Sequence, residues 1–357
     1  MLNTFIYIKS NIFATFVTHN MLLYVHFEES SGDMRYRKKL HRRELKRQRK
    51  IIILSLLTVL LCFSIGYASF STNINLSAKG NVYKVSDKCY TTSDNGDGTL
   101  TITDYDKTCG TEVNIPSNIR GKTVTVIAGN VKWDDHKSFS YKELTKVVIP
   151  DTVITIESNS FRSNNITSLD LGSSVKSIGW EAFAYNKLTS IVFPESLTAI
   201  GAGAFQENNL TSIPSLAHVI SLGGGVFTGN LVTGDDKFVY SKYGDNFDYS
   251  TLNSYAGQWV SELVIPSNVK TLMYYSLRRT RATTVTLSEG VENINDSAFM
   301  QSYATAVNIP STIKNIGTSA FGQSRAIKTI NINRKDSAIT GTPWGASNAM
   351  VNWTGDN

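Results

Sequence analysis

Charge, histidine and cysteine are scarce in this chain, and each scarcity removes a class of function. Of 357 residues, 5 are His, 3 are Cys and 18% are charged. Beyond residue 71 the histidines are His136 and His218 alone. No carboxylate pair is fixed by a motif there, and no thiol is expected to be free, so a nucleophilic or acid–base site such as a wall hydrolase needs lacks its groups. The reading is therefore not an enzyme, with no cofactor. Metal sites fare no better. Asp134, Asp135 and His136 lack further partners, and Asp94-Asn95-Gly96-Asp97-Gly98 lacks the alternating oxygen ligands and distal Glu of an EF-hand loop. Calcium at that turn stays the alternative to a positive-φ hairpin turn, which the same residues select.

Basic residues are concentrated in one place. The formal net charge is +6, but residues 72 to 357 hold 24 Lys and Arg against 25 Asp and Glu. The excess lies in Arg35 to Lys50, RYRKKLHRRELKRQRK, and directly after it Ile51 to Phe70 runs for twenty residues without a charge. Twenty apolar residues span a bilayer as a helix. Dense positive charge on the N-terminal side keeps that side cytoplasmic and places the chain beyond Phe70 outside. The basic segment 34–50 and transmembrane helix 51–70 thus predict a single-pass membrane protein with an extracellular C-terminal domain, and argue against nucleic acid as a partner. Cleavage near Tyr67-Ala68-Ser69, giving a secreted protein, is the alternative. Residues 1–33 suit neither role, their apolar stretch being broken by Lys9, Asn11, His19, Asn20 and His26. They are expected to be a mis-called start, with Met34 as the true one, or else a second membrane segment from Phe5 to Phe27. No apolar tail or sorting pattern stands at the C-terminus, so attachment is expected to rest on the N-terminal helix.

Of the three cysteines, Cys62 falls in the apolar stretch. Cys89 and Cys109 flank YTTSDNGDGTLTITDYDKT, a tight turn beside an alternating strand, and are expected to be bonded across a hairpin in an oxidising compartment. With the polar stretch before it, this makes 71–112 a tether and N-terminal cap.

What the chain has in abundance is repetition. Phe161, Phe183, Phe205 and Phe227 recur every 22 residues, and Phe299 and Phe321 resume the spacing. Five residues before the first four stand Ile156, Ile178, Ile200 and Leu222; three residues after them stand Asn164, Asn186, Asn208 and Asn230. Fixed apolar positions at such a period predict a solenoid, whose coils bury their faces only by stacking. Within a coil two short strands are read, as in LTSIVF (188–193) and LTAIG (197–201), with Pro194 at the corner because it cannot donate to a ladder. The Phe rings are expected to fill the coil interior, and the Asn to satisfy turn amides from coil to coil. Trp133 to Glu143 reads as an insertion before the regular array. Leu277 replaces Phe in one coil, Leu216 and Ala217 disturb another, and 231–259 breaks the period. That last insertion reads either as a loop packed over the side of the stack or as a partner site, with Tyr240, Tyr243, Phe247 and Tyr249 as contact residues. Residues 326–357, with Trp344 and Trp353, read as the C-terminal cap, which must cover apolar surface and open strand edges.

The repeat LTSIVFPESLTAIGAGAFQENN, with its IP, IG and AF elements, resembles the BspA-type leucine-rich repeat of bacterial surface proteins over roughly 113–357. The resemblance implies a mainly β solenoid, exported, of a Gram-positive membrane-anchored type, and serving adhesion or interaction. It implies no catalytic motif. Two readings remain: a surface protein binding an extracellular protein or glycan, and a structural spacer without a ligand. The exposed strip of Thr145, Thr167, Thr189 and Thr211 names neither.

Overall fold

The computed structural model describes residues 75–76, 82–83, 87–130, 137–335 and 339–355, all within one compact unit, Ile74–Asn357. The expected helix 51–70, the segments before it and Asp134 to His136 lie outside the described residues. Among the described residues no helix is long and apolar enough to cross a membrane.

Coils stack because each offers a short strand to the next. A sheet of 13 strands runs the length of the solenoid. In it Ile156, Ile178, Ile200 and Leu222 face one another in a parallel register, and beyond the break Leu252, Leu272, Ile294 and Ile316 do the same. All eight are buried, which pins the register, since a slip of one residue would turn every one of them outward. The disulfide Cys89–Cys109 closes the cap, where Tyr90–Asp94 and Thr99–Tyr105 pair antiparallel.

Behind the ladder the phenylalanines form a column. Successive centroids from Phe139 through Phe161, Phe183, Phe205 and Phe227 lie 4.8, 5.0, 5.5 and 6.0 Å apart, close to the rise between neighbouring strands. Phe139 is one period before Phe161 and stacks on Tyr105 at 5.3 Å. The segment read as an insertion before the array therefore ends inside it. At the other end Trp344 takes the next place after Phe321, 6.5 Å away and fully buried.

Asparagine ties the turns together. The Oδ1 of Asn186 accepts the amide of Ile166 (3.1 Å) while its Nδ2 donates to the carbonyls of Phe161 (3.0 Å) and Phe183 (3.1 Å). Asn164, Asn208 and Asn230 repeat the pattern. In the second half Ser324 does part of this work, its hydroxyl accepting from the Ser302 amide.

On the opposite face the expectation of two strands in every coil is corrected. Glu112–Asn114, Lys146–Val148 and Ser168–Asp170 form one parallel sheet, and Val260–Ile265, Ala282–Leu287, Ala306–Ile309, Thr329–Ile332 and Met350–Trp353 form another. Residues 188–193 and 210–215 form no strand. Pro214 stands where the preceding coils place Val148 and Asp170, a ladder position, so this coil cannot donate there; Val192 beside it is left 85% exposed.

Residues 231–259 do not lie over the side of the stack. Phe238–Tyr243 and Asn246–Tyr255 enter the ladder as a hairpin, the first strand antiparallel to Ser221–Leu222 and the second parallel to Thr271–Leu272. Adding one reversed strand and then one forward strand lets the array resume its direction. The backbone of Tyr255 sits in the Phe slot, its amide donating to Ser276 O (2.8 Å) as Phe161 donates to Ala182 O. The hairpin divides the buried apolar side chains into two clusters.

Phe183→Ala should cost about 3–5 kcal/mol, because it opens a cavity in a closed column. Asn186→Ala should cost about 1–3 kcal/mol, through the amide and carbonyls it leaves unpaired. Urea unfolding of both variants measures the two losses.

Candidate functional site

The ladder and column are occupied by the core, so the places able to meet a ligand are where the repeat fails. Two such places stand out among the described residues, both consequences of the hairpin.

The first is the hairpin itself. Tyr240, Phe247 and Tyr249 come together, with centroids 5.3 Å apart for Tyr240–Tyr249 and 6.0 Å for Phe247–Tyr249. They line a cavity of about 280 Å3 with Ile213, Pro214, Leu216, Asp236, Phe238 and Val239. Tyr243 is 66% exposed and lines a different cavity, with Ile220, Lys242 and Met273. The structure thus brings together three of the four aromatic residues singled out by sequence. Lys242 fastens the hairpin: it is buried, and its Nζ donates to Leu216 O (2.7 Å) and Ala217 O (2.9 Å). Asp248 braces the return strand, accepting from the Thr251 and Ser250 hydroxyls and the Ser250 amide. The Thr251 hydroxyl first and the Ser250 hydroxyl next, with a lesser contribution from the Ser250 amide, hold its carboxyl below the ordinary range against the opposing effect of burial.

The second place was not legible in the sequence. On the turns carrying the Phe column, Glu181 is fully buried and pairs with both Arg162 and Arg278, although Arg278 is 97 residues away in sequence. Beside it Glu207 pairs with Arg279 (3.3 Å) and Arg281 (3.0 Å). The hairpin's extra strand separates coils on the ladder side, while on the turn side Gly225 lies directly beneath Tyr275. A Cβ on Gly225 would fall 2.6 Å from that of Tyr275, and one on Gly229 would strike the Glu207 carboxylate. The stack therefore closes over small residues, and arginines from one half reach acids of the other. Arg162 and Arg279 lie over the Tyr185 ring at 4.5 and 5.4 Å, and Arg279 donates to Tyr303 Oη at 2.7 Å. Tyr303 packs on Trp259 with centroids 6.3 Å apart. Burial opposes the charge on Arg279, but Tyr185, Glu207 and Tyr303 outweigh it and raise its pKa.

Elsewhere the polar residues of interest serve the backbone. Asp94 Oδ1 accepts from the Gly96 amide and its other oxygen pairs with Lys122; Asp97 accepts from the Thr99 amide and hydroxyl. Thr167 and Thr211 donate to the carbonyls of Thr145 and Thr189 one coil back. Among the described residues no group of three or more His, Cys, Asp and Glu is placed to hold a metal.

Residues 134–233 and 251–343 match the BspA type leucine rich repeat region, in 6 copies. No curated protein matches the chain. Among solved structures it is similar to a leucine-rich repeat protein from Eubacterium ventriosum, at 21% identity and TM-score 0.44, covering 79% of this chain and 78% of that one. The pneumococcal vaccine antigen PcpA is 17% identical with TM-score 0.41, over 80% of this chain and 85% of the other. A leucine-rich repeat protein from T. pallidum is 18% identical with TM-score 0.33, over 68% and 90%.

Glu181→Gln should cost about 3–5 kcal/mol, since it leaves two buried guanidinium groups without their anion. Glu207→Gln, at a half-buried pair, should cost under about 1 kcal/mol; chemical unfolding compares the two. For Asp248 the folded pKa is depressed, so its contribution is present above the ordinary carboxylate range and is lost as pH falls through it. Protection of the hairpin amides, corrected for intrinsic exchange, should drop between neutral and acidic pH in the native chain and be insensitive to pH in Asp248→Asn.

Proposed function

The chain belongs to the BspA-type leucine-rich repeat family, and from that premise we propose that it is a surface-displayed binding protein whose solenoid presents the hairpin 231–259 to an extracellular protein or glycan. The observation that carries this reading is the aromatic cavity of Tyr240, Phe247 and Tyr249, set where a strict repeat is interrupted by a braced hairpin. Large aromatic side chains, partly exposed and held by a rigid element, are what binding surfaces concentrate. A hairpin used only to fill the ladder would have no need of an exposed Tyr249.

Display rests on the N-terminal segment. In this reading the basic run 34–50 stays cytoplasmic, Ile51 to Phe70 spans the membrane of a Gram-positive type of cell, and the repeat lies outside. Protease shaving of intact cells should release peptides from the repeat while a membrane-bound remnant keeps the basic run. Release of the whole repeat into the medium would support cleavage instead.

Binding is tested by probing protein and glycan arrays with the full chain. A saturable ligand should be weakened about tenfold or more by Tyr249→Ala or Phe247→Ala, with the melting temperature unchanged. Deleting 231–259 would be uninformative, because it removes two strands of the ladder. Saturable binding indifferent to both substitutions would move the site off the hairpin, and no binding on either array would favour a structural spacer.

A further inference from the structure

The paired acids and arginines on the turn face do not balance. At the surface one Glu, Glu207, meets two Arg, Arg279 and Arg281, a local positive excess in a repeat region whose total charge is close to neutral. Their side chains are 28% and 26% exposed. Beside that pair stand two exposed rings, Tyr303 and Trp259, at 40% and 57%.

We infer that this face, centred on Arg279, Arg281, Tyr303 and Trp259, is a second binding surface, and that it takes an anionic polysaccharide. Guanidinium groups pair with carboxylate or sulfate through charge-assisted hydrogen bonds. Flat aromatic rings beside them offer an apolar platform to the faces of sugar rings. Arg279 lies between the Tyr185 and Tyr303 rings, with Trp259 packed on the latter, so charge and ring stand side by side as a charged sugar needs, and the arginines are already oriented by Glu207 and Tyr185, which limits the ordering cost of binding. The surface is independent of the hairpin cavity: no residue is shared between them.

The test uses the full chain against four immobilised polymers at low ionic strength: hyaluronan (carboxylate only), heparin (sulfate and carboxylate), neutral dextran and poly-glutamate. Retention is expected on hyaluronan or heparin, to weaken as salt is raised, and to be absent on dextran; which of the two is preferred separates carboxylate from sulfate. Arg281→Ala should weaken it at least about tenfold, Trp259→Ala severalfold, and Lys328→Ala, an exposed cation elsewhere, should leave it unchanged, with all three variants melting like the native chain. Because Arg35 to Lys50 also attracts polyanions, a fourth variant with that run neutralised is measured. Retention that vanishes in this variant yet survives Arg281→Ala and Trp259→Ala overturns the proposal. So do equal retention on dextran, a preference for poly-glutamate, and no retention at all. Hairpin substitutions such as Tyr249→Ala should leave polymer binding intact, so the two surfaces stand or fall separately.

Discussion

Everything in this chain depends on one coil being unable to bury itself. A 22-residue turn has an apolar interior, open strand edges and a bend full of unpaired amides, and each is satisfied by the copy above or below. The Ile ladder pairs the edges, the Phe column fills the interior, and Asn Oδ1 and Nδ2 bridge the bends. Because the same three contacts recur, they share one rise per coil. The column spacing rises from 4.8 Å at Phe139–Phe161 to 6.0 Å at Phe205–Phe227, nearest the hairpin.

Both candidate surfaces lie beside the hairpin. Inserting a reversed strand lengthens the ladder side, while glycine at 225 and 229 lets the turn side close. An aromatic cavity lies between the hairpin and the coil at Pro214. The closure over Gly225 and Gly229 leaves Arg278, Arg279 and Arg281 paired with Glu181 and Glu207 on the earlier coils. A buried ion pair contributes little net stability where apolar packing could replace it. Here it links coils on either side of the hairpin that divides the two apolar clusters.

How much of this could be read from sequence depends on what repeats. Phe, Ile and Asn positions were legible because identical contacts select similar residues at fixed spacing. Phe139 obeys the spacing but sits in a segment whose other positions depart from the pattern, and Trp344 arrives 23 rather than 22 residues after Phe321. Tyr255 holds its slot with a different side chain inside the stretch where the period is lost. Pro214 was visible, but its effect depends on standing two residues earlier than Pro150 and Pro194, in a ladder position rather than at a corner. The aromatic residues of the hairpin were legible as composition, although Tyr243 faces another cavity. The Arg–Glu pairs were not: partners 97 residues apart meet across the irregular hairpin, and no repeat spacing encodes that.

The return of the second hairpin strand to the direction of the coils has an evolutionary reading. A single strand added to a parallel ladder would leave the next coil facing backward, whereas a hairpin leaves the array's polarity untouched. Its base is held by ladder pairing to Ser221, Thr271 and Leu272, by backbone bonds such as Gly225 N to Asn253 O and Tyr255 N to Ser276 O, and by the Lys242 contact with two carbonyls. The tip between Tyr243 and Asn246 carries no ladder duty. The tip at Gly244 and Asp245 is thus free to vary in sequence and length while the register of the solenoid stays as it is.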